Sequence, residues 1–177
     1  MIANAFGVCL NCISACNDKG DVVSADEKIR CDVFISYRQQ EPDKSWVRKV
    51  LVPGLEQRGL SVLIDYRDFR LGPPLVELMA QAVEQSRYTL AVLTPLYLAS
   101  NFTNLENVLA EHLGLENSQN RLVAVMRETC KPRLGMRARL WLDMTDDEEL
   151  DDNLTRLAME LKQKPDASHY FNEDAVN

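Results

Sequence analysis

Short apolar runs alternate along most of this chain with segments whose apolar residues recur at helical spacing, and that alternation limits the folds available to it. Four of the runs are compact and apolar enough to be buried on both faces, and a fifth is weaker. The stripes between them repeat apolar residues three or four positions apart, which indicates helices. The predicted strands cover residues 33–35, 60–64, 89–93, 122–126 and 140–142, and the predicted helices cover 46–55, 75–83, 100–113 and 150–161.

Prolines, glycines and a serine mark where these elements should begin, bend and end. Pro53 lies inside the first predicted helix and is expected to kink it, while Gly59 suits the position just after its end. Residues 66–74 carry charges, a glycine and two prolines, so we expect a loop without regular structure. Pro95 should end the third strand, and Ser100 is a good N-cap for the helix that follows.

Strands that are apolar on both faces and alternate with helices predict a parallel sheet covered on both sides. Right-handed crossovers leave few topologies, and a flavodoxin-like strand order is among the most favoured. The sequence therefore predicts an α/β fold, a single flavodoxin-like domain with a five-stranded parallel sheet and helices on both faces. We expect this domain to span residues 30–164, after a leader or linker of unknown role at 1–29 and before a C-terminal tail at 165–177.

Ligands of such sheets bind beyond the carboxyl ends of the strands, near the point where strand order reverses. The segments that follow the first three strands are residues 36–38, 65–72 and 94–106. On a helix begun at Ser100, Phe102 and Glu106 would lie one turn apart on the same face. An aromatic ring and a carboxylate would then share one wall of a pocket, although the same spacing also occurs on surface helices that carry no site.

Charge and hydropathy exclude several classes of protein. The net charge of −7 and the pI near 4.9 argue against binding to nucleic acid or to anionic lipid. No apolar run approaches the roughly 20 residues that a membrane-spanning helix needs, and the first residues lack the basic start of a secretory signal. We therefore expect a cytoplasmic protein without a membrane span.

The five cysteines are an odd number, which argues against a disulfide framework. Cys9, Cys12 and Cys16 cluster in a way that could suit a metal, an iron–sulfur cluster or a lipid. Neither His112 nor His169 is near enough in sequence to complete a tetrahedral site, so an unliganded leader is the favoured interpretation. Acidic residues before the last helix could chelate a cation, yet complementing the helix dipole is the favoured role. These acids are Asp143, Asp146, Asp147, Glu148, Glu149, Asp151 and Asp152.

Three motifs in order resemble those of a Toll/interleukin-1 receptor/resistance (TIR) domain of the kind common in bacterial defence proteins. The first is the run CDVFISYR at 31–38, and the second is IDYRDFRLG at 64–72. The third is AVLTP at 91–95 followed by Ser100 and Glu106, with Phe102 where many members of the family have Trp. The resemblance covers residues 31–164, about three quarters of the chain.

The resemblance implies an enzyme that cleaves the nicotinamide–ribose bond of NAD, with Glu106 as the catalytic carboxylate. Nicotinamide would leave with either ADP-ribose or a cyclic ADP-ribose isomer as the other product. NAD would be a substrate, so that no cofactor and no metal are expected. By the same resemblance the substrate-binding residues are Ser36, Tyr37, Arg38, Asp65, Gly72 and Phe102.

Each of these residues has an implied role. Arg38 would meet the pyrophosphate, a contact suited to a guanidinium. Phe102 would offer a stacking face to an adenine or nicotinamide ring. Asp65 and the loop through Gly72 would fold over the substrate and touch a neighbouring subunit, so that self-association completes the site. The alternative is a non-catalytic adaptor that acts by homotypic TIR–TIR contacts through this loop.

Overall fold

The sheet contains five parallel strands in the order β2-β1-β3-β4-β5. The computed structural model describes residues 29–100, 121–131 and 141–163. The strand β1 pairs with β2 on one side and with β3 on the other, so strand order reverses between β1 and β3. This order confirms the predicted flavodoxin-like α/β fold. The strands are β1 (Cys31–Ser36), β2 (Val62–Leu63), β3 (Ser86–Leu93), β4 (Leu122–Met126) and β5 (Trp141–Asp143).

Helices cover both faces of the sheet, as predicted. They are α1 (Asp43–Trp46), a π-helical stretch (Val47–Leu51), α2 (Val52–Gln57), α3 (Asp65–Asp68), α4 (Leu75–Gln85), α5 (Pro95–Ser100) and α6 (Leu150–Lys162). Because successive strand residues face opposite sides, Val33 and Ile35 join the core under α2 and α6, whereas Phe34 joins the core under α4 and α5. The alternation within β1 thus builds two apolar layers.

The first helical segment changes its winding in the middle. Its π-helical stretch ends directly before α2, and Pro53 lies in the first turn of α2. A proline has no N–H to donate and crowds the carbonyl one turn before it, so the wider π winding before Pro53 relieves both problems. Gly59 follows the C-cap of α2 with a φ of 80°, which confirms its predicted position after the helix end.

The prediction that residues 66–74 form only a loop was partly wrong, because the segment begins with the short helix α3. The Asp68 carboxylate accepts a hydrogen bond from the Ile64 N–H at 2.8 Å and so caps the first turn of α3. The Arg67 guanidinium also donates to the Val62 carbonyl and pairs with Glu56 at 2.7 Å. These contacts reach back to β2 and α2, so the charges that suggested a loop stabilise a turn of helix.

The structure contains a helix, α5, that was not predicted, and Ser100 is its last residue. The helix begins at Pro95, and the Thr94 hydroxyl accepts the Tyr97 N–H at 3.1 Å. A threonine cap followed by proline in the first helical position is a favoured helix start, because the missing proline N–H would have no partner there. Residues 101–120 lie outside the described residues.

The strand β4 has its predicted bounds, whereas each of the other four strands differs from prediction by one to three residues at one end or both. β1 extends beyond residues 33–35 at both ends, and β2 is shorter than the predicted 60–64 because only Val62 and Leu63 pair with β1. β5 runs through Asp143. Across the described ranges, no helix is both long and apolar enough to cross a lipid bilayer.

Candidate functional site

Three segments with polar side chains meet at the carboxyl edge of the sheet, beside the reversal in strand order. Residues 36–38 end β1, α3 follows β2, and Thr94 with α5 follows β3. The π-helical stretch adds Arg48 to this edge, and α1 adds Asp43. The edge where ligands bind in such sheets is therefore the polar one here.

Ser36 faces α5 rather than open solvent. Its hydroxyl shares a hydrogen bond of 2.8 Å with the Tyr97 hydroxyl, and both side chains are buried. The contact joins the end of β1 to α5 across the point where strand order reverses. Ser36 thus lies at the predicted edge, with its hydroxyl engaged by Tyr97.

A buried carboxylate fixes the start of α5 from the other side. Asp43 is 3% exposed, and its carboxylate accepts a hydrogen bond of 2.7 Å from the Thr94 hydroxyl. Thr94 in turn caps α5 through the Tyr97 N–H. A buried charge requires such a partner, so Asp43 ties α1 to the end of β3.

Tyr37 lies between an acid and a base. Its hydroxyl donates to Asp65 Oδ1 at 3.0 Å and accepts from Arg48 Nε at 3.1 Å, while the Arg48 guanidinium carbon lies 3.9 Å from the centre of the Tyr66 ring. Burial, together with the nearby Asp65 carboxylate, raises the pKa of Tyr37 to about 12. Tyr37 is therefore a neutral hydrogen-bond donor at physiological pH and not a base.

Arg38 is half-buried and oriented by two acceptors. One terminal nitrogen donates to the Leu96 carbonyl at 3.1 Å, and the other donates to Gln40 Oε1 at 2.5 Å. Its Nε is buried and has no acceptor among the described residues. A guanidinium with an unused donor beside the strand reversal suits an anionic group.

Asp65 is anchored to the chain on both of its oxygens. Oδ1 accepts the Tyr66 N–H at 2.6 Å as well as the Tyr37 hydroxyl, and the Gln39 amide donates to Oδ2. The start of α3 is therefore fastened to the residues that follow β1.

The loop after α3 presents apolar side chains to solvent. Gly72 has a φ of 117°, and a Cβ built on it would meet nothing within 4 Å. Around it, Leu71 is 102% exposed. Further large exposed apolar residues on α3 and the first turn of α4 are Tyr66, Leu75 and Val76.

The two predicted residues of the third motif, Phe102 and Glu106, lie outside the described residues, as do Cys9, Cys12, Cys16, His112 and His169. Of the predicted set, the structure brings Ser36, Tyr37, Arg38 and Asp65 to one edge and leaves Gly72 on the exposed loop beside it. Sequence reasoning missed Asp43, Arg48, Thr94 and Tyr97. The pairing of Thr94 with Pro95 was a readable cap signal, whereas a lone Asp, Arg or Tyr gave none.

The described ranges contain no candidate metal centre. Those ranges contain no cluster of His, Cys, Asp and Glu side chains able to hold a metal ion, and within them Cys31 and Cys130 form no disulfide. Asp147 pairs with Arg127 at 2.7 Å. Asp151 and Asp152 lie in the first turn of α6, where carboxylates complement the helix dipole.

Comparisons with known proteins agree with this architecture. A family model described as "TIR domain" matches residues 33–158. Human Toll-like receptor 6 is 32% identical over 95 residues, which are 54% of this chain and 12% of that receptor. Protein toll of Drosophila melanogaster is 27% identical over 131 residues, which are 73% of this chain and 10% of that protein. The match therefore spans only about a tenth of the length of these relatives.

Two solved structures share the fold at low identity. The TIR domain of the Toll-related receptor TRR-2 from Hydra magnipapillata gives a TM-score of 0.64 at 22% identity, with 76% of this chain and all of that one covered. A metazoan TIR-STING receptor from C. gigas gives 0.59 at 22% identity, over 77% of this chain and 42% of that one. At such identities the likeness concerns the fold alone.

Proposed function

This chain belongs to the TIR domain family, and on that premise we propose that it is an NAD-cleaving enzyme of bacterial defence signalling. The reaction breaks the bond between C1′ of the ribose and the nicotinamide nitrogen. The bonding electron pair moves to that nitrogen, so nicotinamide leaves as a neutral ring. Water or a group of the same molecule then bonds to C1′ and one proton is released to solvent, giving ADP-ribose or a cyclic isomer.

The observation that carries this proposal is the state of Arg38. Its terminal nitrogens are oriented by Leu96 and Gln40, while its buried Nε has no acceptor among the described residues. A buried donor without a partner costs about 1–3 kcal/mol, and a bound anion would offset that cost. The pyrophosphate of NAD is such an anion, and Arg38 lies beside the strand reversal where nucleotides bind in these sheets.

Glu106 carries the chemistry in this proposal. Positive charge develops on the ribose as the bond breaks, and a carboxylate held near the sugar stabilises it. No general acid is needed, because nicotinamide departs without taking up a proton. Tyr37 is protonated at neutral pH, since its pKa is raised to about 12, so it carries no negative charge that could stabilise the ribose in place of Glu106.

The test is NAD consumption by concentrated protein, followed by chromatography of nicotinamide and the ADP-ribose products. We expect wild type to release nicotinamide and Glu106→Gln to lose activity by about 100-fold or more, as removal of a key electrostatic group does in other enzymes. Gln keeps the size of the side chain and removes the charge. Undiminished NAD loss in Glu106→Gln eliminates the assignment.

A second candidate function is that of a non-catalytic signalling module. It is favoured by the exposed apolar loop around Leu71 and by the similarity to Toll-like receptors. This reading predicts no NAD turnover at any protein concentration, together with self-association that changes when Gly72 is replaced. Turnover that disappears in Glu106→Gln decides for the enzyme.

A further inference from the structure

We propose that Tyr97 is a positioning residue that sets the Arg38 guanidinium for the pyrophosphate of NAD, an inference that rests on the proposed function. The hydroxyl of Tyr97 is bound to Ser36 at 2.8 Å, and the main chain next to Tyr97 holds Arg38. None of the three TIR motifs includes Tyr97. Its role follows from contacts between described residues only.

The helix α5 is fixed at two points. Asp43 accepts from the Thr94 hydroxyl at 2.7 Å, and Thr94 accepts from the Tyr97 N–H at 3.1 Å, which secures the first turn. The Ser36–Tyr97 bond then secures the same turn to β1. All four side chains are buried, so water cannot easily replace these contacts.

The anchored turn of α5 also contacts Arg38, the side chain proposed to bind the pyrophosphate. Leu96 precedes Tyr97, and its carbonyl accepts from Arg38 at 3.1 Å. The position of that carbonyl depends on how α5 is seated. Without the Ser36–Tyr97 hydrogen bond, α5 keeps its Thr94 cap but loses its side-chain hydrogen bond to β1. The Leu96 carbonyl can then shift, and the Arg38 guanidinium is held less firmly.

The experiment compares two buried tyrosines from different parts of the fold. Tyr97→Phe removes the hydroxyl that binds Ser36, and Tyr88→Phe removes a hydroxyl that donates to the Gln163 carbonyl at 3.1 Å. Tyr88 lies near the amino end of β3, away from the candidate site. Each change removes a tyrosine hydroxyl that makes a hydrogen bond. If the two variants have similar melting temperatures, they are matched for stability.

NAD affinity is measured by calorimetry in a Glu106→Gln background, in which turnover cannot deplete the ligand. Tyr97→Phe should weaken NAD binding roughly two- to tenfold, the loss expected for one misplaced hydrogen-bonding group, while Tyr88→Phe should not. In turnover assays of the otherwise native enzyme, Tyr97→Phe should raise KM and leave kcat nearly unchanged. Equal affinities in the two tyrosine variants overturn the positioning role.

A double-mutant cycle assigns the effect to Arg38. In an Arg38→Gln background, Tyr97→Phe should weaken NAD binding no further, because the group that it positions is absent. An equal loss in both backgrounds overturns the proposal. Ser36→Ala removes the same bond from its other end, and it repeats the test if Tyr97→Phe does not fold.

The outcomes also separate this proposal from the one on which it rests. Wild type that neither binds nor consumes NAD overturns the proposed function, and the role of Tyr97 falls with it. Wild type that consumes NAD while Tyr97→Phe behaves as Tyr88→Phe overturns the positioning role alone.

Discussion

Tyr37 connects three segments of the candidate site through a single hydroxyl. It donates to Asp65 at the start of α3 and accepts from Arg48 in the π-helical stretch, while its own backbone follows β1. Arg48 extends the contact to the Tyr66 ring. π-Helical turns often occur at functional sites, and here the turn places Arg48 where it can bind one tyrosine and stack on another.

The raised pKa of Tyr37 predicts how stability depends on pH. The folded chain holds the neutral form up to a pKa of about 12, whereas the ordinary value is 10.0. The contribution to stability is therefore complete below pH 10 and is lost as pH rises toward 12. At pH 8, Tyr37→Phe should have a free energy of unfolding about 1–3 kcal/mol lower than that of wild type. At pH 11 this difference in stability between the two proteins, the stability gap, should be smaller.

Urea titrations of both proteins at the two pH values measure this gap. Tyr88→Phe is the control. Because burial raises the pKa of Tyr88 as well, the quantity to compare is how much the stability gap to wild type narrows between pH 8 and pH 11 in each variant. A gap between wild type and Tyr37→Phe that is the same at pH 8 and pH 11 contradicts the linkage to Tyr37.

Among the elements, strands were easier to predict than short helices. Five apolar runs located five strands, because burial on both faces demands continuous apolar sequence. The helix α3 escaped prediction because Arg67 stabilises it through β2 and α2, elements distant from the local pattern. The helix α5 was missed for a different reason: Thr94 and Pro95 carried a cap signal, but Pro95 was interpreted only as the end of β3.

Close contact between α2 and α6 supports a prediction at this scale. A Cβ on Gly54 would lie 2.8 Å from Cδ1 of Leu154, which is itself buried. Gly54→Val should therefore push the helices apart and destabilise the fold by about 1–3 kcal/mol. Gln57→Val, at an exposed position of the same helix, is the control and should change stability by less than about 0.5 kcal/mol.

Urea unfolding midpoints of both variants measure the difference. Both substitutions are on α2, which supplies none of the hydrogen bonds described for Arg38 and Tyr97, so NAD turnover per folded molecule should match wild type. If Gly54→Val is as stable as Gln57→Val, Leu154 can move aside at no cost and the contact is not limiting.

At the scale of the whole molecule, the topology predicted which residues meet at the carboxyl edge of the sheet, but it did not predict the contacts between them. Parallel strands bring their carboxyl ends to one edge, so Ser36, Tyr37, Arg38 and Asp65 could be placed together from sequence order. The bonds that orient them join residues far apart in the chain, as between Ser36 and Tyr97 or between Asp43 and Thr94. No periodicity records such pairings, because they depend on how the helices seat on the finished sheet.

The exposed loop between α3 and α4 leads to a prediction about assembly. Leu71 is 102% exposed and is flanked in sequence by the exposed Tyr66, Leu75 and Val76, whereas Met159, which is 64% exposed, lies on a different element, α6. Large apolar side chains clustered in the open mark interaction surfaces, whereas a single one does not. We therefore expect the chain to self-associate through the loop, with NAD loss per molecule rising as protein concentration rises.

Sedimentation velocity and NAD assays over a dilution series measure both effects. Leu71→Ser should raise the dissociation midpoint about tenfold, as expected from losing roughly 1.4 kcal/mol of apolar contact, and should lower activity most at intermediate concentrations. Met159→Ser removes a similar exposed side chain from another helix and should behave as wild type. A monomer that keeps full activity at high dilution contradicts a site completed by a neighbouring subunit, and an unchanged midpoint in Leu71→Ser rules out this loop as the contact.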